Sequence, residues 1–182
     1  MRILESAELG FTGQLLGPTV WGQQFLGSRF HLTQPVQVTA IGGHLAADFV
    51  ETLFAAIVSL PSPRGLPGFA PHSIDTSAIA STLFTPPQPS ADVLIPLSVA
   101  LGPGDYALVF GGADSAVGYF PLGARGTGIM PVNNVPMPGS SSFHGDAFRW
   151  ADDMDLAGCR FVVNADVSTP GAPSAPTGLR VS

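Results

Sequence analysis

Trp21-Gly-Gln-Gln-Phe-Leu-Gly-Ser-Arg-Phe-His-Leu32, then Thr33-Gln-Pro35, then Val36-Gln-Val-Thr-Ala-Ile41 is the stretch that decides the fold class. The second run alternates apolar and polar residues at period two, the mark of a strand with one face buried. The first run supplies Phe25, Phe30 and Leu32 as expected inward residues, and Gln34-Pro35 interrupts the backbone ladder between the two. Gly42-Gly43 offers a bend or bulge before His44-Leu45.

Outward from this pair, similar signals recur at short spacing. Leu53 to Leu60 is a continuous apolar run of strand length, suited to a strand covered on both faces, with a helix as the competing reading. Four prolines and two glycines fill residues 61–78, which predicts the longest loop of the domain and, by position alone, a site candidate. Ser81 to Phe84 and Asp92 to Val99 read as strands, with Pro96 placing the latter at an edge. Gly102-Pro-Gly-Asp105 has turn chemistry and leads into Tyr106-Ala-Leu-Val-Phe110, so these two runs are expected to form a hairpin. Further strands are expected at Gly118 to Leu122, Phe143 to Trp150 and Leu156 to Val163, with a Gly/Pro/Asn/Ser-rich loop from Gly123 to Ser142. About nine short strands separated by turn clusters predict an all-β, jelly-roll-like antiparallel β-sandwich over residues 1–167.

Composition agrees with that class and narrows the function. The 22 Gly and 18 Pro residues accompany 45% hydrophobic residues, which favours tight turns around a core over disorder. Only 11% of residues are charged, against roughly 25% in an ordinary soluble domain. None is lysine, so a surface facing neighbouring subunits is one explanation and a bland Ser/Thr/Gly exterior is the other. A net charge of −6 without a basic cluster excludes nucleic-acid binding by phosphate neutralisation and disfavours acidic lipid surfaces. No apolar stretch reaches membrane-spanning length. Met1 to Glu8 carries no apolar leader, so the chain is expected either to be a piece of a secreted protein or to reach the outside by another route, as a virion protein does.

Residues 168–182 have the composition of a proline-rich linker. Within them Pro173-Ser-Ala-Pro-Thr-Gly-Leu-Arg-Val181 resembles the opening of fibronectin type III domains, which implies that the natural product continues. The domain itself carries a second resemblance. Trp21-Gly with Phe25 and Phe30, Pro35 to Gly43, Leu101-Gly-Pro-Gly-Asp-Tyr-Ala-Leu-Val-Phe-Gly111 and Arg160-Phe-Val-Val163 resemble a jelly-roll family of bacterial surface proteins associated with PEP-CTERM sorting anchors. That resemblance implies an extracellular or cell-surface location and brings no catalytic residues with it. The chain departs from the family pattern in having no apolar anchor and basic end.

Chemistry is sparse. The absence of lysine removes Walker A, Schiff-base and kinase mechanisms. Gly123-Ala-Arg-Gly-Thr-Gly128 precedes Ile129-Met-Pro131 and not a helix, so it reads as a loop. Ser140-Ser-Ser-Phe-His-Gly-Asp146 holds serine, histidine and aspartate along one extended segment, where triad members do not converge. His31, His44, His72 and His144 are scattered, and Cys159 in an apolar run reads as a buried strand thiol. Asp152, Asp153 and Asp155 are the one group of oxygen ligands spaced for calcium, with a solvated acidic turn as the alternative. For a glycan, Trp150, Tyr119, Arg125 and Arg149 are the candidate contacts, with Trp21 a further stacking surface and core packing the competing role of both tryptophans. The expectation is therefore a non-catalytic structural or adhesive module of an extracellular surface or virion, with self-association or neighbouring subunits as partners. A carbohydrate-binding module is the alternative, and a glycosidase would need a carboxylate pair that does not stand out.

Overall fold

The computed structural model describes residues 1–49, 51–152 and 155–167. The segment 168–182, with its fibronectin-like motif, and Asp153 of the acidic turn lie outside the described residues. In chain order the strands are β1 (Arg2–Glu5), β2 (Ala7–Glu8), β3 (Thr19–Val20), β4 (Phe25–Leu32), β5 (Val36–Phe49), β6 (Leu53–Ser59) and β7 (Ala80–Phe84). They continue with β8 (Ala91–Leu101), β9 (Gly104–Gly111), β10 (Thr127–Ile129), β11 (Val135–Pro136), β12 (Ser142–Gly145), β13 (Trp150–Ala151) and β14 (Phe161–Val167).

The fold is an all-β, antiparallel sandwich, as the alternating and continuous apolar runs predict. One sheet has the order β1-β14-β5-β10-β3, with β8 also paired to β5, and the other has the order β13-β12-β4-β9-β6-β7. A small β2–β11 ribbon stands apart. The chain changes sheet between β4 and β5, between β5 and β6, and again on either side of β8, which gives the jelly-roll-like connectivity.

Two cores result. Between the sheets pack Leu26, Phe30 and Leu32 of β4, Val38, Ile41 and Leu45 of β5, Leu53, Ala55 and Ile57 of β6, and Phe161 and Val163 of β14. The alternate residues of the second sheet point outward and are buried as well. Phe25, Phe54, Ala56, Val58, Ala107 and Val109 meet Ile74, Ala124, Phe143 and Trp150, with Leu66 and Phe69 packed on them. Residues 61–78, expected as a loop, thus form a cover carrying a single helical turn, Ile74–Ser77, whose Ile74 is wholly buried. This second layer explains why Leu53 to Leu60 lacks polar alternation: both faces of β6 are dry. Phe25 is buried as expected, but on the outer face and not with Phe30 and Leu32.

Several sequence expectations are corrected. Asp92 to Val99 and Tyr106 to Phe110 do not form a hairpin, because β8 pairs with β5 and β9 with β4 and β6. The Gly102–Gly104 turn instead carries the chain from one sheet to the other, a step that turn chemistry alone does not distinguish from a hairpin. Pro96 does sit in a strand whose described pairing is to β5 alone, as its missing N–H requires. Gly118 to Leu122 is not a strand. It is a tight loop closed by an Asp114–Tyr119 bridge and followed by the 3-10 turn Pro121–Gly123. Phe143 to Trp150 splits into β12 and β13 around a turn at 146–149, and the strand expected from Leu156 begins only at Phe161. Gly42-Gly43 does not bend β5, whose described register shifts lie between Val38 and Ala40 and between Ala47 and Phe49. Gly42 is needed for another reason: a Cβ there would collide with the Val93 carbonyl oxygen of β8.

Candidate functional site

The structure brings Trp150 and Arg149 to one cleft and Asp152 and Asp155 to another, and places Tyr119 and Arg125 on two more. Trp150 is buried, with its ring against Phe25, Phe69 and Phe143 and its Nε1–H donated to the Phe69 carbonyl. Its indole is part of the outer core, 8% exposed, and its edge lines a shallow cleft with Phe69, Phe148 and Arg149. Arg149 is exposed beside it and forms a loose ion pair with Asp146, at 3.5 Å. Arg125 is exposed on another cleft, where its guanidinium lies 5.5 Å from the Phe120 ring centroid, near Asp48 and Glu51. Tyr119 is half-buried on the far side of the 113–120 loop from Arg125.

Asp152 and Asp155 of the acidic turn line one cleft together with Arg29 and Arg64, each with its own partner. Asp152 accepts a hydrogen bond from Arg29 Nη2 at 2.7 Å, and Asp155 accepts one from the Ala157 N–H at 3.0 Å. Among the described residues no group of three His, Cys, Asp or Glu side chains is placed to hold a metal ion. Arg29 is buried and engaged on several sides. It donates to the Gly65 carbonyl, the Ser141 hydroxyl and the Ser142 carbonyl, and it lies 4.7 Å over the Phe143 ring. It ties the 61–78 cover to β12 and to the acidic turn, which is a structural role.

Two buried polar networks were not legible in the sequence. Arg160 pairs with both oxygens of Asp92, at 2.9 and 3.2 Å, and with Glu5 at 2.5 Å, while also donating to the Ala7 carbonyl. The Arg2 hydrogen bond, and after burial's opposing effect the Arg160 contacts, hold the Glu5 carboxyl below its usual range. In the other network His44 Nδ1 lies 2.9 Å from Asn134 Oδ1 and His44 Nε2 lies 3.0 Å from the Ser90 hydroxyl. Asn134 Nδ2 donates to the Pro131 and Gly158 carbonyls, so its Oδ1 is the acceptor and His44 Nδ1 carries a proton. The atoms are those of a Ser-His-Asn array. However, all three residues are buried, and none lines a described cavity. Gly10 N–H donates to Asn134 and Gly13 N–H to the Ser90 carbonyl, so the network fastens the N-terminal segment to the first sheet.

One cleft with apolar walls and convergent polar groups lies between the 113–119 loop and the 146–148 turn, with a volume of about 460 Å³. Tyr119, Val117 and Phe148 form its apolar walls, and Gln23, His72, Asp114 and Asp146 its polar edge. Asp114 is 2% exposed and accepts hydrogen bonds from Gln23 Nε2 and the Ala116 N–H. Asp146 Oδ1 accepts from the Phe148 and Arg149 N–H groups at 2.7 and 2.8 Å, which hold its carboxyl below the usual range. The Tyr119 hydroxyl is turned inward without a partner among the described residues; burial, then the charge of Asp75, pushes its pKa up to about 12. Of the glycan candidates Tyr119 reaches this cleft, joined by His72 of the 61–78 segment and Asp146 of the Ser140–Asp146 segment. Gln23, Asp114 and Phe148 were missed because nothing local in their segments marks them; turn packing brings them together.

No protein-family model matches this chain, and no curated protein matches it.

Proposed function

We propose that the chain is a non-catalytic structural or adhesive β-sandwich module of an extracellular surface assembly or virion, joined to further copies of itself through one uncharged face. The observation that carries this reading is a double segment, residues 9–18 and 129–142, which contains no Asp, Glu, Arg, Lys or His. The two stretches run side by side, with Met130 N–H donating to the Pro18 carbonyl, Val132 N–H to the Leu16 carbonyl and Asn133 Nδ2 to the Phe11 carbonyl. Together they expose Leu9, Phe11, Leu15, Leu16, Val132 and Val135, with Phe11 84% and Leu16 77% accessible. Glu8, the cross-strand partner of Val135, stands at the margin of this group; exposed apolar residues gathered with charge only at the rim are what contact surfaces look like, whereas isolated ones are ordinary.

A second copy is the occupant that the charge distribution favours. The chain carries a net charge of −6, so two copies repel unless they meet where neither bears charge. Sedimentation velocity across a concentration series tests this, with Phe11→Asp/Leu16→Asp as the variant. The wild type is expected to form a defined oligomer and the variant to sediment as a monomer with an unchanged circular dichroism spectrum. A wild type that stays monomeric at every concentration overturns the reading.

A further inference from the structure

We infer that the Tyr119–Phe148 cleft is a binding site for a neutral glycan, one or two pyranose rings in size, separate from the uncharged face and independent of self-association. The volume of about 460 Å³ falls within the ~300–1,000 Å³ of small-molecule sites. Phe148 is 81% and Val117 67% exposed at its walls. Neither contributes to the core, so the local sequence holds two large apolar groups in water next to a polar edge. An aromatic ring presented in this way matches the C–H face of a pyranose.

The polar edge defines the ligand further. His72 Nδ1 donates to the Ala147 carbonyl at 3.1 Å, which leaves Nε2 of the neutral ring as an acceptor. Asp146 adds the carboxylate oxygen Oδ2, with the buried Asp114 behind it, so the edge presents acceptors and suits a ligand that brings donors, as vicinal hydroxyls do. No Arg or Lys lines the cleft, and the two carboxylates repel phosphate, sulfate, uronic and sialic groups. A cationic ligand is the other donor-rich class. It is disfavoured because Asp146 already has Arg149 as its counter-ion, at 3.5 Å, and Asp114 is 2% exposed.

The test is titration calorimetry of the purified protein with neutral gluco-, manno- and galacto-configured di- and trisaccharides. Sialyllactose, a glucuronic-acid disaccharide and a glucosamine disaccharide serve as charged comparisons. At least one neutral sugar is expected to bind, with the acidic sugars at least tenfold weaker. Phe148→Ala is expected to raise that Kd roughly tenfold and His72→Ala roughly three- to tenfold, the loss of one ring contact and one hydrogen bond. Both side chains are exposed, so both variants keep the wild-type thermal transition. Three results overturn the inference: no neutral sugar binds; an acidic or amino sugar binds as well as the neutral ones; or binding is unchanged in Phe148→Ala, which places the site elsewhere. None of these bears on the oligomeric state, which the sedimentation experiment reads separately.

Discussion

Arg160 shows how one side chain can join three segments. It is 3% exposed and reaches Asp92 at the start of β8, Glu5 at the end of β1 and the Ala7 carbonyl. Removing the buried cation takes from Asp92 its bidentate partner and leaves Glu5 with Arg2 alone, so Arg160→Ala is expected to lower the urea-denaturation free energy by about 3–5 kcal/mol. Glu5 adds a pH dependence. Its folded pKa lies below the ordinary 4.5, so folding favours the ionised form. That contribution is complete above the unfolded value and is lost as pH falls through the folded one. Denaturation midpoints are expected to drop between about pH 6 and pH 3, and to drop less in Glu5→Gln. Cys159 is wholly buried, and burial, with a smaller effect of Asp155, pushes its thiol up to about 12. A thiol-specific reagent is therefore expected to leave the native protein unlabelled and to label it on unfolding. Apolar neighbours in the sequence announced this burial, although Cys159 lies just before β14 and not within it.

At the scale of elements, β6 and β5 differ in how much their sequences tell. β6 is apolar at nearly every position, and the structure supplies a core for each face, so Phe54 is as deeply buried as Ile57. Phe54→Ala is expected to cost about 3–5 kcal/mol in a denaturant titration, as for a central core aromatic. β5 announces itself by alternation from Val36 to Ile41; Gly42-Gly43 offers a bend or bulge before His44-Leu45, yet the strand runs on through all four residues. Gly42 is small because β8 crosses close beside it, and Gly42→Ala is expected to destabilise by about 1–3 kcal/mol through overpacking against the Val93 carbonyl. His44 extends the strand while burying its ring against Asn134 and Ser90, partners 90 and 46 residues away. Pairing at that distance leaves no local trace.

For the whole molecule, the uncharged 9–18/129–142 face and the acceptor-lined cleft are different surfaces with different expected occupants. The sedimentation and calorimetry experiments can therefore succeed or fail independently. Sequence alone determined the all-β class, because period-two alternation, continuous apolar runs and Pro/Gly punctuation are local consequences of strand geometry. It also determined the shortage of charge, since composition does not depend on arrangement. Tertiary structure decided which sheet each strand joins, since the Gly102–Gly104 turn serves a sheet change as readily as a hairpin. It decided that Trp150 packs in a core while Phe148, two residues earlier, stands in water. It also decided that Gln23, His72, Asp114, Tyr119 and Phe148 share one cleft. Burial and convergence depend on which distant backbone segment folds over a residue, and a residue's neighbours along the chain do not encode that.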